Sequence, residues 1–225
     1  MARGEVLGGR FFFRPLSSLT HWVDFRLFPG APWAMHAESV LAYGLLALAA
    51  ALLLRRIEGA GLVAGLGALM YAIDDAHGMP VGWISNRNAL LAVLFGVCAI
   101  ERHVLARSLD PSPARTRAAL AAALAFAASL LCGESAVGGL AYLGAHALVL
   151  ERGTLGARAR SIAPYLAMTA AWAVPYAALG YGAHASGMYI DPVHESGAFL
   201  AALPERVAFL LQGQLGFPPS DVAML

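Results

Sequence analysis

The sequence contains no lysine, and all 15 of its basic residues are arginine. Charged residues of both signs make up only 13% of the chain, against about 25% in soluble domains. The net charge is +1. A nucleic-acid-binding protein needs a clustered basic surface, so this charge balance predicts no nucleic-acid partner.

Cysteine is also scarce. The two cysteines, Cys98 and Cys132, both lie inside apolar runs, where a thiol usually serves as a small buried hydrophobe. Their spacing predicts neither a disulfide framework nor a zinc site of the Cys/His type. Two histidines, His103 in the polar linker 101–117 and His146 in the middle of an apolar run, have no obvious partner in the sequence, and we interpret them as structural.

Apolar residues are abundant and make up 59% of the 225 residues. We predict an all-α fold: a polytopic transmembrane helical bundle with interfacial amphipathic helices and short outer-face loops. A span of 19 residues covers most of the ~30 Å hydrocarbon layer at ~1.5 Å per residue. The six predicted spans of the membrane domain, residues 36–180, are 36–54, 59–73, 89–100, 118–132, 136–150 and 162–179.

The flanking segments are less apolar. In residues 1–35, apolar side chains recur at helical spacing from Leu16 to Leu27, with Asp24 among the polar residues between them. This pattern predicts an amphipathic helix at the membrane interface. Residues 181–225 are predicted to form an outer-face loop with short surface helices at 198–203 and 205–211.

The arginines sort by side when the predicted loops are assigned alternately. The positive-inside rule puts the arginine-rich loops in the cytoplasm, which predicts an integral protein of a bacterial inner membrane. A soluble helical bundle, the alternative, has no reason to sort charge in this way. One side receives only Arg87 among the connecting loops, and the other receives Arg55, Arg56, Arg102, Arg107, Arg115, Arg117, Arg152, Arg158 and Arg160.

The same assignment places an arginine-bearing tail, residues 1–35, on the outer side. An additional span upstream would explain how this tail crosses the membrane. We therefore expect the chain to be a piece of a longer protein.

The polar loop Tyr71–Asn88 between spans two and three is the first candidate site. It carries Asp74, Asp75 and His77. Ionisable groups at a membrane are costly and mark functional sites. The two carboxylates could act as a general base for an acceptor hydroxyl, or bind Mg²⁺ or Mn²⁺. Alternatively, they end span two in water or pair with Arg87.

Two further charged residues fall on the same predicted outer side. Arg87 could bind a phosphate through two parallel hydrogen bonds; alternatively, Asn88 caps the next helix and Arg87 pairs with an aspartate. Glu134 lies in a Gly-Glu-Ser turn that a hairpin alone would explain. Because no arginine is nearby in sequence, its carboxylate must find a partner elsewhere.

Four elements together resemble a known family. They are an Arg-Pro-Leu tail at 14–16, a first span ending in Arg-Arg, a Trp-Ile-Ser-x-Arg-x-x-Leu-Leu signature at 83–91, and the glutamate turn at 133–135. The chain resembles the multi-span GT-C glycosyltransferases over roughly residues 10–180. The most similar pattern is that of the transmembrane O-mannosyltransferases with tetratricopeptide repeats and their bacterial relatives.

This resemblance implies transfer of a sugar from a polyprenyl-phosphate donor to an outer-face acceptor, with inversion at the anomeric carbon. A carboxylate would deprotonate the acceptor. Arginines would hold the lipid phosphate, with Arg14, Arg87 and Glu134 as the substrate-binding residues. The bilayer and the lipid-linked sugar donor are the implied partners.

The chain also departs from the family pattern. The family's His-Pro pair is Asp74-Asp75 here, and its next glutamate is Met79. The acid after the arginine is Ala89, although His77 falls on a family histidine. The family's leading acid, in a first outer loop, has no counterpart. A catalytically incomplete fragment is therefore an alternative.

A non-enzymatic membrane protein, either a transporter or an assembly subunit, is the alternative of a different class. A transporter would place ionisable residues in mid-span, whereas here they gather at span ends, which favours the enzyme. The sugar, the acceptor and the oligomeric state stay open.

Overall fold

A computed structural model describes residues 12–182, 190, 192 and 194–215. Over these residues the chain is all-α, without a strand, as the sequence predicts. The helices are α1 Pro15–Leu27, α2 Pro32–Glu58, α3 Leu62–Ile73, α4 Gly78–Gly82, α5 Arg87–Ser108, α6 Pro113–Cys132, α7 Gly139–Ala145, α8 Leu155–Ala178 and α9 Ser196–Leu215.

Helix starts follow local chemistry. Proline occupies the first turn of α1, α2 and α6, where its missing N–H and fixed φ are tolerated. Ser112 caps α6, and its side chain accepts a hydrogen bond from the Arg115 N–H at 3.3 Å. Thr154 caps α8 in the same way, at 3.3 Å from Ala157 N.

Within the described residues, three helical stretches are long and apolar enough to cross a membrane: Pro32–Glu58, Ile84–Ser108 and Pro113–Cys132. Two shorter apolar helices accompany them, Leu62–Ile73 and Glu134–Leu150. The chain is therefore an integral membrane protein with an all-α bundle. The count of six spans stays a prediction.

The surface of α2 shows how the bundle meets lipid. Most of its large apolar side chains point outward, with Leu41 65% exposed and Leu48 55% exposed, although Leu46 is buried at 1%. The opposite side buries small residues, among them Ser39 and Ala49. Small residues inside and large apolar residues outside are the arrangement expected where lipid replaces water.

Helices α5 and α6 form the centre of the unit 13–179. Ser129 Oγ of α6 donates a hydrogen bond to the Ala92 carbonyl of α5 at 2.6 Å. At Gly96, an added Cβ would lie 3.4 Å from the same Oγ. The absence of a side chain at Gly96 therefore lets the two backbones approach closely. Phe126, Leu130 and Leu143 fill the adjoining core.

Most helix boundaries differ from the predicted spans by a few residues, and two differences have a clear physical reason. Span three was predicted to end near residue 100, but α5 continues to Ser108, because Glu101 and His103 are buried in the bundle.

The second compact unit comprises residues 1–12 and 180–225, of which 12, 180–182, 190, 192 and 194–215 are described. There, one helix, Ser196–Leu215, runs through Pro204 instead of the two short helices predicted, since Ala and Leu, which favour helix, surround the proline.

Candidate functional site

Arg87 is the most buried large polar residue of the bundle, at 2% exposure. It is the first residue of α5, directly after the 3-10 turn Ile84–Asn86. Its guanidinium donates hydrogen bonds to Asp24, to Glu38 at 3.1 Å, to Ser39 Oγ at 3.3 Å and to the Met35 carbonyl at 2.7 Å. The Arg87 guanidinium thus links α1 and α2 to the N-terminal end of α5 through hydrogen bonds.

This arrangement shows that Arg87 pairs with carboxylates of the protein, while its phosphate-binding role stays a prediction. Its charge is matched inside the protein by two carboxylates, one of which, Asp24, is only 1% exposed. A buried cation needs such a partner because its desolvation is expensive. The carboxylates come from α1 and α2, not from the loop aspartate Asp74. The predicted cap at Asn88 is wrong, because the helix begins at Arg87 with Asn86 before it.

Arg14 and Glu134 form a second ion pair at the same end of the bundle. Arg14 Nε donates to Glu134 Oε2 at 2.8 Å, and Tyr176 Oη donates to Oε1 at 3.3 Å. With the Asn88 amide oxygen turned toward Arg14, that oxygen accepts from Arg14 at 3.0 Å. Glu134 therefore has the distant partner that its sequence position requires.

A cavity of about 640 Å³ lies beside the buried Asp24–Arg87 pair. The ring of His21 forms part of its wall, and His21 Nδ1 lies 3.9 Å from Asp24 Oδ2. Burial, reinforced by the positive charge of Arg87, lowers the pKa of His21 below 6.5, and Asp24 opposes this shift. The cavity is lined by His21, Phe25, Gly30, Ala31, Pro32, Met35, His36, Gly82, Trp83, Ile84 and Ser85.

The predicted site loop divides into two parts. Residues 82–85, in its second half, form part of the wall of this cavity. In its first half, the exposed Asp74 carboxylate accepts a hydrogen bond at 2.9 Å from a backbone N–H two residues later. His77 packs against the rings of Tyr43 and Tyr71, at centroid distances of 5.1 and 4.6 Å. The side chain of Asp75 lies outside the described part, so the catalytic and Mg²⁺ or Mn²⁺ roles stay predictions.

Sequence reasoning missed His21 and Asp24. The spacing of apolar residues in α1 predicts only an interfacial amphipathic helix, whose polar residues would face water. The available signal was the isolated Arg87, which needs a carboxylate partner once it is buried. The spacing of residues in the sequence does not indicate that Asp24 of α1, 63 residues before Arg87, is that partner.

No protein-family model, no curated protein and no solved structure matches this chain.

Proposed function

We propose that the chain is part of a GT-C-type membrane glycosyltransferase. It would transfer a sugar from a polyprenyl-phosphate donor to an acceptor on the periplasmic face of a bacterial inner membrane. One observation carries the proposal: the family-like segment Trp83–Ser85 lines the cavity that also contains His21, backed by the buried Asp24.

An inverting transfer needs a base at the acceptor hydroxyl. The base takes the hydroxyl proton, the acceptor oxygen bonds to the anomeric carbon, and the bond to the phosphate oxygen breaks. His21 suits this role because its ring borders the cavity, and burial lowers its pKa, which favours the neutral ring that can accept a proton. Asp24, 3.9 Å from Nδ1, would stabilise the imidazolium that forms. A positioned base contributes roughly 10²–10⁴-fold to the rate.

The remaining groups divide between positioning and binding. Arg87 already donates to two carboxylates, so in this proposal it positions Asp24. Arg14, whose side chain is 25% exposed, is the better candidate for the lipid phosphate. The aromatic wall at Phe25 and Trp83 offers apolar faces to a sugar ring or a prenyl chain.

The experiment uses the full reading frame that encodes this chain, purified into lipid vesicles. Polyprenyl-phosphate hexoses labelled in the hexose are added together with a membrane extract as the source of acceptors, and the label that leaves the lipid-donor fraction is measured. We expect His21→Asn to lower this transfer by at least about 100-fold. Asp24→Asn should lower kcat with little change in KM, since Asp24 acts through His21.

The matched control is Asp110→Asn, an exposed carboxylate in the connection between α5 and α6, which should transfer like wild type. Asp74→Asn and Asp75→Asn test the loop residues. Transfer that survives in His21→Asn but is lost in either loop variant would move the base to the loop. Wild-type vesicles that release no label above empty vesicles would refute the glycosyltransferase.

A transporter stays the second candidate because of one observation. Glu101, His103 and Glu151 are buried inside the bundle, at 3%, 3% and 6% exposure. Intramembrane ionisable groups often mark ion or proton pathways. Ion-flux measurements on the same vesicles, with wild type and Glu101→Gln, separate this candidate from the enzyme.

A further inference from the structure

The second half of α5 brings an unexplained group of side chains together with the segment after α7. His103, His146 and Glu151 each place one ligand atom within 4.8 Å of the other two. His103 lies 16 residues after Arg87, about 24 Å farther along α5. This cluster is thus separate from the cavity at the start of the helix.

Two ring nitrogens of these histidines have no hydrogen-bond partner within the described part of the chain. They are His103 Nε2 and His146 Nδ1, both buried. Buried polar atoms without a partner are rare, and each one calls for an explanation. His103 is 3% exposed, so solvent does not supply the missing bond.

The other nitrogen of His103 is already held. Its Nδ1 lies 3.1 Å from the Tyr165 hydroxyl of α8. When Nδ1–H donates to that hydroxyl, Nε2 carries a lone pair that no described group uses. Metal-binding histidines usually have such a second hydrogen bond, which fixes the ring and its tautomer.

A local break in helix geometry places the third ligand. Residues His146–Leu150 form a π turn, closed by a hydrogen bond of 2.9 Å from Glu151 N to the His146 carbonyl. Such turns are uncommon and occur frequently at functional sites. The Glu151 carboxylate accepts from Arg107 and, at 2.7 Å, from Ser161. A carboxylate has about four lone-pair positions, so it retains capacity for a metal.

We propose that His103 Nε2, His146 Nδ1 and the Glu151 carboxylate bind a transition-metal dication, with Zn²⁺ as the best fit. Two imidazoles and one carboxylate form a ligand set that Zn²⁺ uses with a fourth position open. Tetrahedral ligands at ~2.1 Å lie roughly 3.4 Å apart, so closure requires each ligand atom to move by about 0.8 Å or less. The metal would join α5 to the π turn.

The test uses the full chain in detergent, purified on a tag without histidine and stripped with a chelator. Co²⁺ is titrated first, because tetrahedral Co²⁺ has strong visible bands, and Zn²⁺ then displaces it. We expect one ion per chain. His146→Ala and His103→Ala should each abolish the bands, and His36→Ala, which removes an exposed histidine of α2, should leave them unchanged.

Two further variants keep the test independent of folding defects. Tyr165→Phe retains the ring but removes the hydroxyl at His103, and it should weaken Zn²⁺ binding by about 10–100-fold. Arg107→Gln removes the cation that competes for Glu151, and it should tighten binding. The absence of Co²⁺ bands in wild type, or bands that survive either alanine substitution at His103 or His146, would overturn the site.

Discussion

The buried Arg87 pair yields a stability prediction that can be worked out in numbers. Replacing Arg87 by Met retains most of the side-chain volume but leaves Asp24, 1% exposed, without its cation. Removing one partner of a buried ion pair costs about 3–5 kcal/mol. For a chain of this size, each kcal/mol shifts the melting temperature by about 2–4 °C, so we expect a loss of roughly 6–20 °C.

Two companion variants separate this cause from a general packing defect. In Asp24→Asn, Arg87 retains Glu38 at 3.1 Å, so the loss should be only about 1–3 kcal/mol. In the double variant Arg87→Met/Asp24→Leu no charge of the pair is left buried, and much of the stability should return. The third partner, Glu38, is 39% exposed and can be hydrated.

The assay is a melting curve in detergent with a dye that fluoresces on reaction with thiols. Cys132 is fully buried, so its reaction reports unfolding. The reasoning fails if Arg87→Met melts within about 2 °C of wild type, because an uncompensated buried carboxylate should cost more. It also fails if the double variant is no more stable than Arg87→Met.

Three smaller predictions use the same assay. The pKa of His21 in the folded state is lowered from 6.5, so its contribution to stability is intact above pH 6.5 and is lost as pH falls from 6.5 toward the folded pKa. His21→Asn should flatten this part of the wild-type pH profile of stability. A variant profile identical to that of wild type would contradict the prediction. Glu134→Gln breaks the Arg14 pair at 2.8 Å and should cost about 1 kcal/mol, and Arg14→Gln should cost less in that background than in wild type, because the pair is already broken. Ser129→Ala removes the 2.6 Å bond to Ala92 and should cost about 0.6 kcal/mol, whereas Ser129→Leu should cost more than about 1 kcal/mol because the helices are in contact.

The fold class and the approximate helix positions were predictable because they depend on local pattern. Long apolar runs predict membrane helices whatever their partners are. The end of α5 was not predictable in this way, because Glu101 and His103 look like loop residues until neighbouring helices bury them. Burial of a polar residue depends on contacts between distant parts of the chain, which periodicity does not show.

The candidate site was predictable only in part, for the same reason. The segment after Trp83 carries a recognisable signature, and it does line the cavity. The partner of Arg87, in contrast, could be any carboxylate that the fold brings near, and the sequence suggests only the nearby Asp74 or Asp75. His103 and His146 were interpreted as structural because their 43-residue separation hides their contact.

The ion pair between Asp24 and Arg87 also has a consequence for how the protein is made. Asp24 leaves the ribosome 63 residues before Arg87, a delay of about 3–13 s at roughly 5–20 residues per second. During that time Asp24 has no arginine to pair with. Because burial of an unpaired carboxylate is costly, α1 stays at the hydrated membrane surface until Arg87 arrives. The arrival of α5 then completes the attachment of both earlier helices. A nascent chain in which α5 fails to insert would leave the Asp24 carboxylate without its buried cation.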